Sequence, residues 1–404
     1  MIKRELYMSR IRPFIGNELI KVLTGLRRSG KSVMLELIQQ ELRQSGVSEQ
    51  QFICYNFEQM RYAHLCQAQN LYQEVLSRAK AIEGKVYLFF DEIQEVEQWE
   101  KCINSFRLDL DCDIYLTGSN AKLLSGELAT YLAGRYVEFV IYPFSFAEFS
   151  DMYRTIVPDA SIGQCFSTYL TEGGMPYLSN LRYEVEPSRQ YLQDLYNSVV
   201  LKDIVKRNKI RDVDLLERII AYVTANIGTT FSATSVSNYL KSEGRKVSPE
   251  TVLNYLRACE SAFLFYRVQR QDIRGKKILA VQEKYYVADH GIREAVFGGN
   301  MRDIQLVLEN LVYLEFLRRG YHVTVGKAGN QEIDFIGEKQ NQKIYVQVTY
   351  LLASEQTIQR EFGVYDHIRD NFPKYVVSLD EFDRSRDGIK HRNIRDFLMA
   401  ESWE

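Results

Sequence analysis

Short apolar runs alternate with stretches of helical periodicity over the first third of the chain. The runs at residues 19–24, 52–55, 86–90, 114–117 and 137–142 have the length and apolar content of buried strands. Between them, residues 32–42 and 71–81 repeat apolar positions at helical spacing. This alternation predicts a largely parallel sheet covered by helices, which gives an α/β domain over residues 1–145.

The pattern changes after residue 145, where the short apolar runs typical of buried strands become rare. Amphipathic helices are predicted at 146–153, 164–170 and 190–206, so residues 146–212 are interpreted as a helical lid or linker. Three helical stretches and an apolar run at 263–268 then favour a winged helix-turn-helix over residues 213–298. A helix followed by strands predicts a further α/β domain over residues 299–404.

Composition and charge narrow the class of protein. The chain has 404 residues, of which 46% are hydrophobic and 26% charged, as in globular proteins with more than one folding unit. A formal net charge of −2 gives no overall attraction to nucleic acid or membrane. Six cysteines without a C-x-x-C pair indicate reduced core thiols. No apolar stretch approaches the ~18 residues of a membrane span, so a cytoplasmic protein without a membrane partner is expected.

A phosphate-binding loop follows the first predicted strand. Gly25-x-x-x-x-Gly30-Lys31-Ser32 lies between a strand and a helix, which is the context that the P-loop motif requires. Glycines let backbone N–H groups turn toward phosphates, and the helix N-terminus adds partial positive charge. Lys31 is expected to hold the β- and γ-phosphates, and the Ser32 hydroxyl to bind Mg²⁺.

The remaining polar residues of this loop are candidate nucleotide contacts. Arg27, Arg28 and Ser29 lie within it, and each arginine either touches phosphate or faces solvent. Glu58 follows the second predicted strand at the same sheet edge. It is interpreted either as a sensor of Mg²⁺ or water or as an ordinary loop acid.

Two acids end the third apolar run. Asp91 is expected to bind Mg²⁺ through water, and Glu92 to orient and polarise the attacking water, as in a Walker B arrangement. The alternative is that the two acids cap the next helix.

A sensor and an arginine finger complete the predicted site. The fourth strand ends in Thr-Gly-Ser-Asn, so Asn120 or Ser119 can lie beside the γ-phosphate; a simple strand-to-helix turn is the alternative. Arg135 is the candidate arginine finger, because a guanidinium neutralises charge on the transferring phosphate. A surface salt bridge is its alternative, and the sequence does not decide between action in its own site and in a neighbour's.

Taken in order, these motifs resemble a prokaryotic family of AAA-type ATPases with an uncharacterised C-terminal domain. The resemblance rests on Gly-Leu-Arg-Arg-Ser-Gly-Lys-Ser, Phe-Phe-Asp-Glu-Ile-Gln, Leu-Thr-Gly-Ser-Asn, Leu-Ala-Gly-Arg, Glu-Gly-Gly-Met-Pro and Tyr-Val-Ala-Asp-His-Gly. It implies ATP as the nucleotide, a P-loop NTPase domain with a parallel sheet, a helical and winged-helix segment, and a restriction-endonuclease-like C-terminal fold.

The predicted winged helix carries a local basic charge. Residues 241–277 contain nine Lys or Arg residues against four acids, a local net charge of +5. Ser248 and Pro249 suit the start of its third helix, which is expected to present Thr251, Asn254 and Arg257 outward. DNA binding through this helix is one interpretation, and a protein interface is the other.

The last region resembles the PD-(D/E)xK nuclease fold. Glu309 lies on a predicted helix, and a predicted strand ends at Asp334. Active members carry an acid and a lysine two residues apart on the last strand, where this chain has Gln347 and Thr349. Glutamine is a poor ligand for hard cations, and threonine lacks the lysine charge. The domain is therefore interpreted as a nuclease-like remnant that has lost cleavage.

The preferred hypothesis is that Mg²⁺-dependent ATP hydrolysis switches the winged-helix and nuclease-like output, with DNA or a protein as partner. The alternatives are an ATP-gated DNA nuclease and a signalling scaffold whose winged helix binds protein. The sequence does not give the oligomeric state.

Overall fold

The computed structural model describes residues 2–121, 132, 134–272, 277–328 and 331–403, without the side chains of 277–282 and 328. The chain divides into two compact units. Unit 1 is Met1–Tyr142 with Ser261–Phe263, and unit 2 is Pro143–Glu260 with Leu264–Glu404.

Unit 1 contains a five-stranded parallel sheet. Its strands are β1 (Ile20–Thr24), β2 (Phe52–Asn56), β3 (Val86–Asp91), β4 (Cys112–Gly118) and β5 (Tyr136–Val140). The strand order is β2-β3-β4-β1-β5, and every pair is parallel. The parallel α/β sheet predicted from the apolar runs is confirmed.

Helices separate the strands of unit 1. They are α1 (Glu5–Ile11), α2 (Lys31–Gln44), α3 (Ala68–Ala79) and α4 (Trp99–Asp109). Short 3₁₀ turns lie at Arg12–Phe14, Glu49–Gln51, Met60–Leu65 and Ile93–Glu95. Val22, Leu88 and Leu116 of adjacent strands are fully buried, as expected of a parallel sheet covered on both faces. The sheet is therefore a rigid support whose strand ends can carry a site.

Unit 2 begins with helices. They are α5 (Phe146–Ile156), α6 (Ile162–Glu172) and α7 (Val185–Ser198), which continues as a π-helix over Val199–Lys206, with a 3₁₀ turn at Pro176–Leu181. Ser145 and Ser161 form capping boxes with Glu148 and Gln164, because each serine and the residue three positions later satisfy each other's backbone N–H groups. These caps fix where α5 and α6 begin.

Three further helices precede a hairpin. They are α8 (Val213–Ala225), α9 (Ala233–Ser242) and α10 (Pro249–Ser261), and the hairpin is β6 (Phe265–Asp272) with antiparallel β7 (Lys277–Val287). The Ser248 hydroxyl accepts the Thr251 N–H at 3.1 Å, so it caps α10. Three helices followed by a strand agree with the elements predicted here, and the winged helix-turn-helix itself stays a prediction.

The hairpin belongs to a larger mixed sheet. After α11 (His290–Phe297) and α12 (Ile304–Arg318) come β8 (His322–Ala328), β9 (Gln331–Lys339), β10 (Gln342–Val348), α13 (Glu355–Gly363), β11 (Lys374–Ser378), β12 (Lys390–Asn393) and α14 (Ile394–Met399). The seven strands are ordered β12-β11-β10-β9-β8-β6-β7. One sheet therefore takes strands from both predicted segments, 213–298 and 299–404.

One boundary differs from the sequence-based prediction. Asp334 is the fourth residue of β9 and not its last. The apolar residues Phe335 and Ile336 continue the strand beyond it and are buried. The prediction of a strand ending at Asp334 was wrong because a buried acid was interpreted as a strand terminus.

All six cysteines are free; Cys102, Cys165 and Cys259 are buried, whereas Cys54 is exposed and does not belong to the core. Among the helices in the described ranges, none has both the length and the apolar character needed to cross a bilayer.

Candidate nucleotide site

The loop between β1 and α2 is held in a tight conformation by its glycines. Gly25 has a φ of +137°, and a Cβ there would lie 2.3 Å from the backbone oxygen of Ile141. Gly30 has a φ of +101° and provides no side-chain cap to α2. The first N–H groups of a helix have no intrahelical acceptor, so the start of α2 is suited to an anion. The loop geometry fits a phosphate cradle.

Lys31 is held close to this loop. The residue is 4% exposed, and its Nζ donates to the carbonyl oxygens of Gly25 at 3.2 Å and Leu26 at 3.1 Å. The same nitrogen lies 3.7 Å from Glu92 Oε1. The ammonium group is thus placed between the loop and the acids that follow β3.

Asp91 lies at the carboxyl end of β3, and its carboxylate is hydrogen-bonded by Asn56, Thr117 and Ser32. Asn56 Nδ2 donates to its Oδ2 at 2.7 Å, and Thr117 Oγ1 donates to its Oδ1 at 2.5 Å. Burial raises the pKa of Asp91, and the hydrogen bonds from Thr117 and Ser32 partly oppose that rise. Ser32 and Asp91, the two predicted Mg²⁺ contacts, are therefore brought together.

The backbone of Glu92 has an unusual conformation that sets the direction of its side chain. Its φ of +54° lies in the left-handed region, which costs energy for a residue with a Cβ and is typical of functional positions. Its N–H donates to Thr117 Oγ1 at 2.9 Å, and its Oε2 accepts from the Gln94 amide. One threonine hydroxyl thus binds both acids.

Thr117 and Asn56 were not assigned roles from the sequence. Asn56 is the last residue of β2 and Thr117 the penultimate residue of β4, the two strands adjacent to β3. In the sheet register Asn56 pairs with Asp91 while Leu116 pairs with Phe90. A polar residue near the end of a strand that neighbours β3 could have indicated a contact with the two acids. That inference requires the strand order β2-β3-β4, which the sequence did not provide.

The other polar residues of the loop have different environments. Arg27 forms an ion pair with Glu58 at 2.8 Å, which joins these two candidates to each other. Arg28 is exposed and has a φ of +66°. The Ser29 hydroxyl is buried and has no hydrogen-bond partner among the described residues. A buried donor without an acceptor is costly, so this hydroxyl fits a loop that receives a ligand oxygen.

The two remaining candidates lie at opposite ends of the strands. Asn120 follows the carboxyl end of β4 and is half-buried. Arg135 precedes β5; its backbone oxygen accepts the Ile20 N–H at 2.9 Å and its Nη1 donates to Asn104 Oδ1 at 2.8 Å. The phosphate loop follows the other end of β1, roughly 16 Å away at ~3.3 Å per residue. Arg135 therefore does not lie beside the phosphate loop of its own chain, and its role as an arginine finger stays a prediction.

The basic cluster of unit 2 is partly neutralised. Arg245 pairs with Asp214, Arg267 with Glu283 at 3.0 Å, and Arg270 with Glu332. Lys241, Lys246 and Arg257 are exposed. Arg274, Lys276 and the Lys277 side chain lie outside the described residues. The local charge counted along the sequence thus overstates the basic charge that this surface presents.

The nuclease-like residues meet in a cleft of about 380 Å³ in unit 2. We call it the C-terminal cleft; it is lined by Gln305, Glu309, Gln331, Glu332, Asp334, Gln347, Val348, Arg360, Glu361 and Val364. Glu309, Asp334 and Gln347 of the predicted set are therefore brought together. Thr349 lies just beyond β10, where its N–H donates to the Val377 oxygen at 2.9 Å.

A five-stranded parallel sheet with a phosphate loop after β1 and paired acids after β3 defines a P-loop domain of the AAA class. Residues 17–150 match the family described as an AAA domain, and residues 163–303 match a domain of unknown function.

Two relatives extend this match along the chain. An uncharacterised protein of Haemophilus influenzae is 37% identical over 401 residues, which cover 99% of each chain. An uncharacterised protein of Methanocaldococcus jannaschii is 31% identical over 364 residues, 86% of this chain and 78% of that one. The chain belongs to this family of AAA-domain proteins.

Solved structures resemble the chain only distantly. The Orc1 protein of Aeropyrum pernix in complex with DNA has a TM-score of 0.31 at 12% identity, covering 72% of this chain and 90% of that one. AMPPCP-bound DnaA of Aquifex aeolicus has a TM-score of 0.34 at 12% identity, covering 64% and 88%. Similarities at this level carry no conclusion about ligands or partners.

Proposed function

We propose that unit 1 binds ATP with Mg²⁺ and hydrolyses it. The observation that supports this most directly is the hydrogen-bonded group around Asp91, in which Thr117 contacts both acids. A carboxylate, a hydroxyl and an ammonium group converge beside a helix N-terminus, which is the set of groups that phosphoryl transfer needs.

Each residue has a defined role in this proposal. The loop from Gly25 to Gly30 and the first turn of α2 bind the phosphates, and Lys31 leaves the Gly25 and Leu26 carbonyls to neutralise the β- and γ-phosphates. Ser32 and Asp91 hold the metal ion. Mg²⁺, when bound, offsets negative charge on the phosphates. Glu92 accepts a hydrogen bond from the attacking water and so orients it toward the γ-phosphorus.

Hydrolysis is proposed to change how unit 2 engages a partner, and DNA is the partner with most support. Lys241, Lys246 and Arg257 offer exposed cations near α10 that suit phosphate contacts. A filter-binding series in increasing salt tests this, because phosphate contacts weaken steeply with salt. Absence of DNA retention at low salt would instead favour a protein partner.

The ATPase assay compares three variants with the wild-type chain. Lys31→Ala should abolish Mg²⁺-dependent turnover, while Glu92→Gln should still bind ATP but hydrolyse it about 100-fold more slowly. Lys80→Ala, an exposed lysine at the end of α3, is the matched control and should behave as wild type. Turnover in Lys31→Ala equal to that of wild type would overturn the proposal.

A further inference from the structure

Gln94, the last residue of the motif Phe-Phe-Asp-Glu-Ile-Gln, has a buried oxygen without a hydrogen-bond partner among the described residues. The atom is Oε1 of the side-chain amide. Within the described part of unit 1, Ser29 Oγ of the phosphate loop is in the same state. Buried polar atoms are nearly always paired in folded proteins. Both atoms border the candidate nucleotide site, so each suits a partner that arrives with the substrate.

The backbone of Gln94 is fixed by its neighbours. The residue lies in the 3₁₀ turn that follows β3, and the Glu95 N–H closes this turn by donating to the Glu92 oxygen at 3.1 Å. Ile93 is fully buried and Val96 is almost so, so apolar side chains anchor the turn on both sides of Gln94. Glu95 is exposed, whereas Gln94 is half-buried. The turn therefore keeps Gln94 beside the acids and leaves Glu95 in solvent.

The amide of Gln94 binds Glu92 through its nitrogen. Its Nε2 donates to Glu92 Oε2. A carboxylate only accepts hydrogen bonds, so the nitrogen end of the amide must face it and the oxygen end must point elsewhere. The other carboxylate oxygen, Oε1, lies 3.7 Å from Lys31 Nζ. When Lys31 turns to the phosphates, as in the proposed function, Glu92 Oε1 becomes free to accept a hydrogen bond from water.

Glu92 needs a contact of this kind because its backbone alone does not place its carboxylate. The left-handed φ and the hydrogen bond to Thr117 fix the main chain of Glu92. The side chain still has several rotatable bonds, and each must be held in one rotamer for the carboxylate to have one direction. Because Gln94 holds one carboxylate oxygen, it also fixes the direction of the other.

We propose that Gln94 is a positioning residue for ATP hydrolysis: its Nε2 holds the Glu92 carboxylate, and its Oε1 accepts a hydrogen bond from the water that Glu92 orients. This inference rests on the proposed function of unit 1. A water molecule has two O–H groups, so two acceptors held together by one hydrogen bond fix its orientation as well as its position. Gln94 exchanges no proton with the water, because an amide does not titrate.

Steady-state ATPase measurements on the full chain compare three variants with the wild type. Gln94→Glu is nearly isosteric but replaces the donor by a second carboxylate, and Gln94→Met removes both donor and acceptor. Each should lower kcat about 10- to 100-fold. The affinity for a non-hydrolysable ATP analogue should stay within about twofold, because the phosphate contacts are unchanged. Glu95→Gln is the matched control, since it changes an exposed residue of the same turn, and it should behave as wild type.

The pH profile of kcat separates positioning from a general loss of folded enzyme. The Gln94 N–H stabilises the charged form of Glu92, so Gln94→Met should move the acid limb of the profile to higher pH. Gln94→Glu should move it further, because two neighbouring carboxylates disfavour each other's charge. Lys31 and Asp91, which also face Glu92, are unchanged in every variant. A smaller fraction of folded enzyme would instead lower kcat equally at every pH, and an unmoved acid limb contradicts the proposal.

A double-mutant cycle tests whether Gln94 acts through Glu92. In the Glu92→Gln background, adding Gln94→Met should slow single-turnover hydrolysis by no more than about threefold. A slowing as large as in the wild-type background overturns this role, and so does a kcat of both Gln94 variants equal to that of Glu95→Gln; either result leaves the ATPase proposal standing. A wild-type chain that binds ATP without hydrolysing it overturns the ATPase proposal and the role of Gln94 with it.

Discussion

The guanidinium group of Arg4 donates a hydrogen bond of 3.0 Å to the backbone oxygen of Ser29 in the phosphate loop. Its other terminal nitrogen donates to the Tyr142 oxygen at 2.8 Å, and the residue is only 3% exposed. The segment before α1 therefore ties the phosphate loop to the chain that follows β5.

Replacing Arg4 tests this connection. Arg4→Met keeps the apolar stem but removes the donors, so the buried carbonyl oxygens of Ser29 and Tyr142 lose partners. We expect the free energy of unfolding of unit 1 to fall by about 2–4 kcal/mol and ATP affinity to fall with it. Denaturant unfolding and nucleotide titration measure the two effects. Lys3→Ala, an exposed neighbour, serves as control; equal losses in both variants would argue against the contact.

Replacing Thr117 tests whether its hydroxyl holds Asp91 and Glu92 in place for ATP hydrolysis. Thr117→Val keeps the shape but removes the hydroxyl that contacts Asp91 and Glu92, so the buried Glu92 N–H loses its acceptor. ATP turnover should fall at least about tenfold, and stability by about 1–3 kcal/mol. Thr117→Ser retains the hydroxyl and should recover most turnover in the same assay. A serine variant as slow as the valine variant would contradict this role.

Arg135 should not affect nucleotide binding by its own chain, because it lies at the opposite edge of the sheet from Gly25. Arg135→Ala should therefore bind ATP with wild-type affinity in a nucleotide titration on dilute protein. A loss comparable to that of Lys31→Ala would show that the placement is wrong. A role for Arg135 in the site of a second copy stays a proposal, which a dependence of turnover on protein concentration would test.

Glu172 gives unit 2 a pH-dependent stability. Burial, helped by the nearby Glu294, raises its pKa from 4.5 to about 7. The native state therefore holds a proton that the unfolded state has lost, and stability is lost as pH rises from about 4.5 to 7. The loss totals about 3 kcal/mol. Glu172→Gln should abolish this loss and exceed the wild type in stability at pH 8, as measured by denaturant unfolding at pH 5 and pH 8. An unchanged pH profile would contradict it.

The sequence predicted the sheet of unit 1 because buried parallel strands are nearly continuous apolar runs that a one-dimensional pattern reveals. It also indicated the residues of the phosphate loop and the acids after β3, since that chemistry lies in contiguous motifs. The position of Arg135 could also have been predicted from the sequence. The residue precedes an apolar run, so it lies at the end of the sheet opposite to the phosphate loop. Strand polarity was not used in the sequence analysis, which left open whether Arg135 acts in its own site or in a neighbour's.

The residues that sequence reasoning missed come from distant parts of the chain. Arg4, Asn56 and Thr117 reach the site through tertiary hydrogen bonds, and nothing in their local sequence indicates those partners. Glu361 contacts Gln347 from α13 and Lys284 contacts Glu332 from β7, and nothing in their local sequence indicates those partners either.

The shared sheet of unit 2 has a consequence for dissecting the protein. Because β8 pairs with β6, a fragment starting at residue 299 would lose the neighbour of β8 and expose an unpaired edge of backbone N–H and C=O groups. Such edges recruit strands from other molecules, so that fragment should aggregate when expressed alone. Truncation between the two predicted segments would also remove Lys284, the partner of Glu332 in β9.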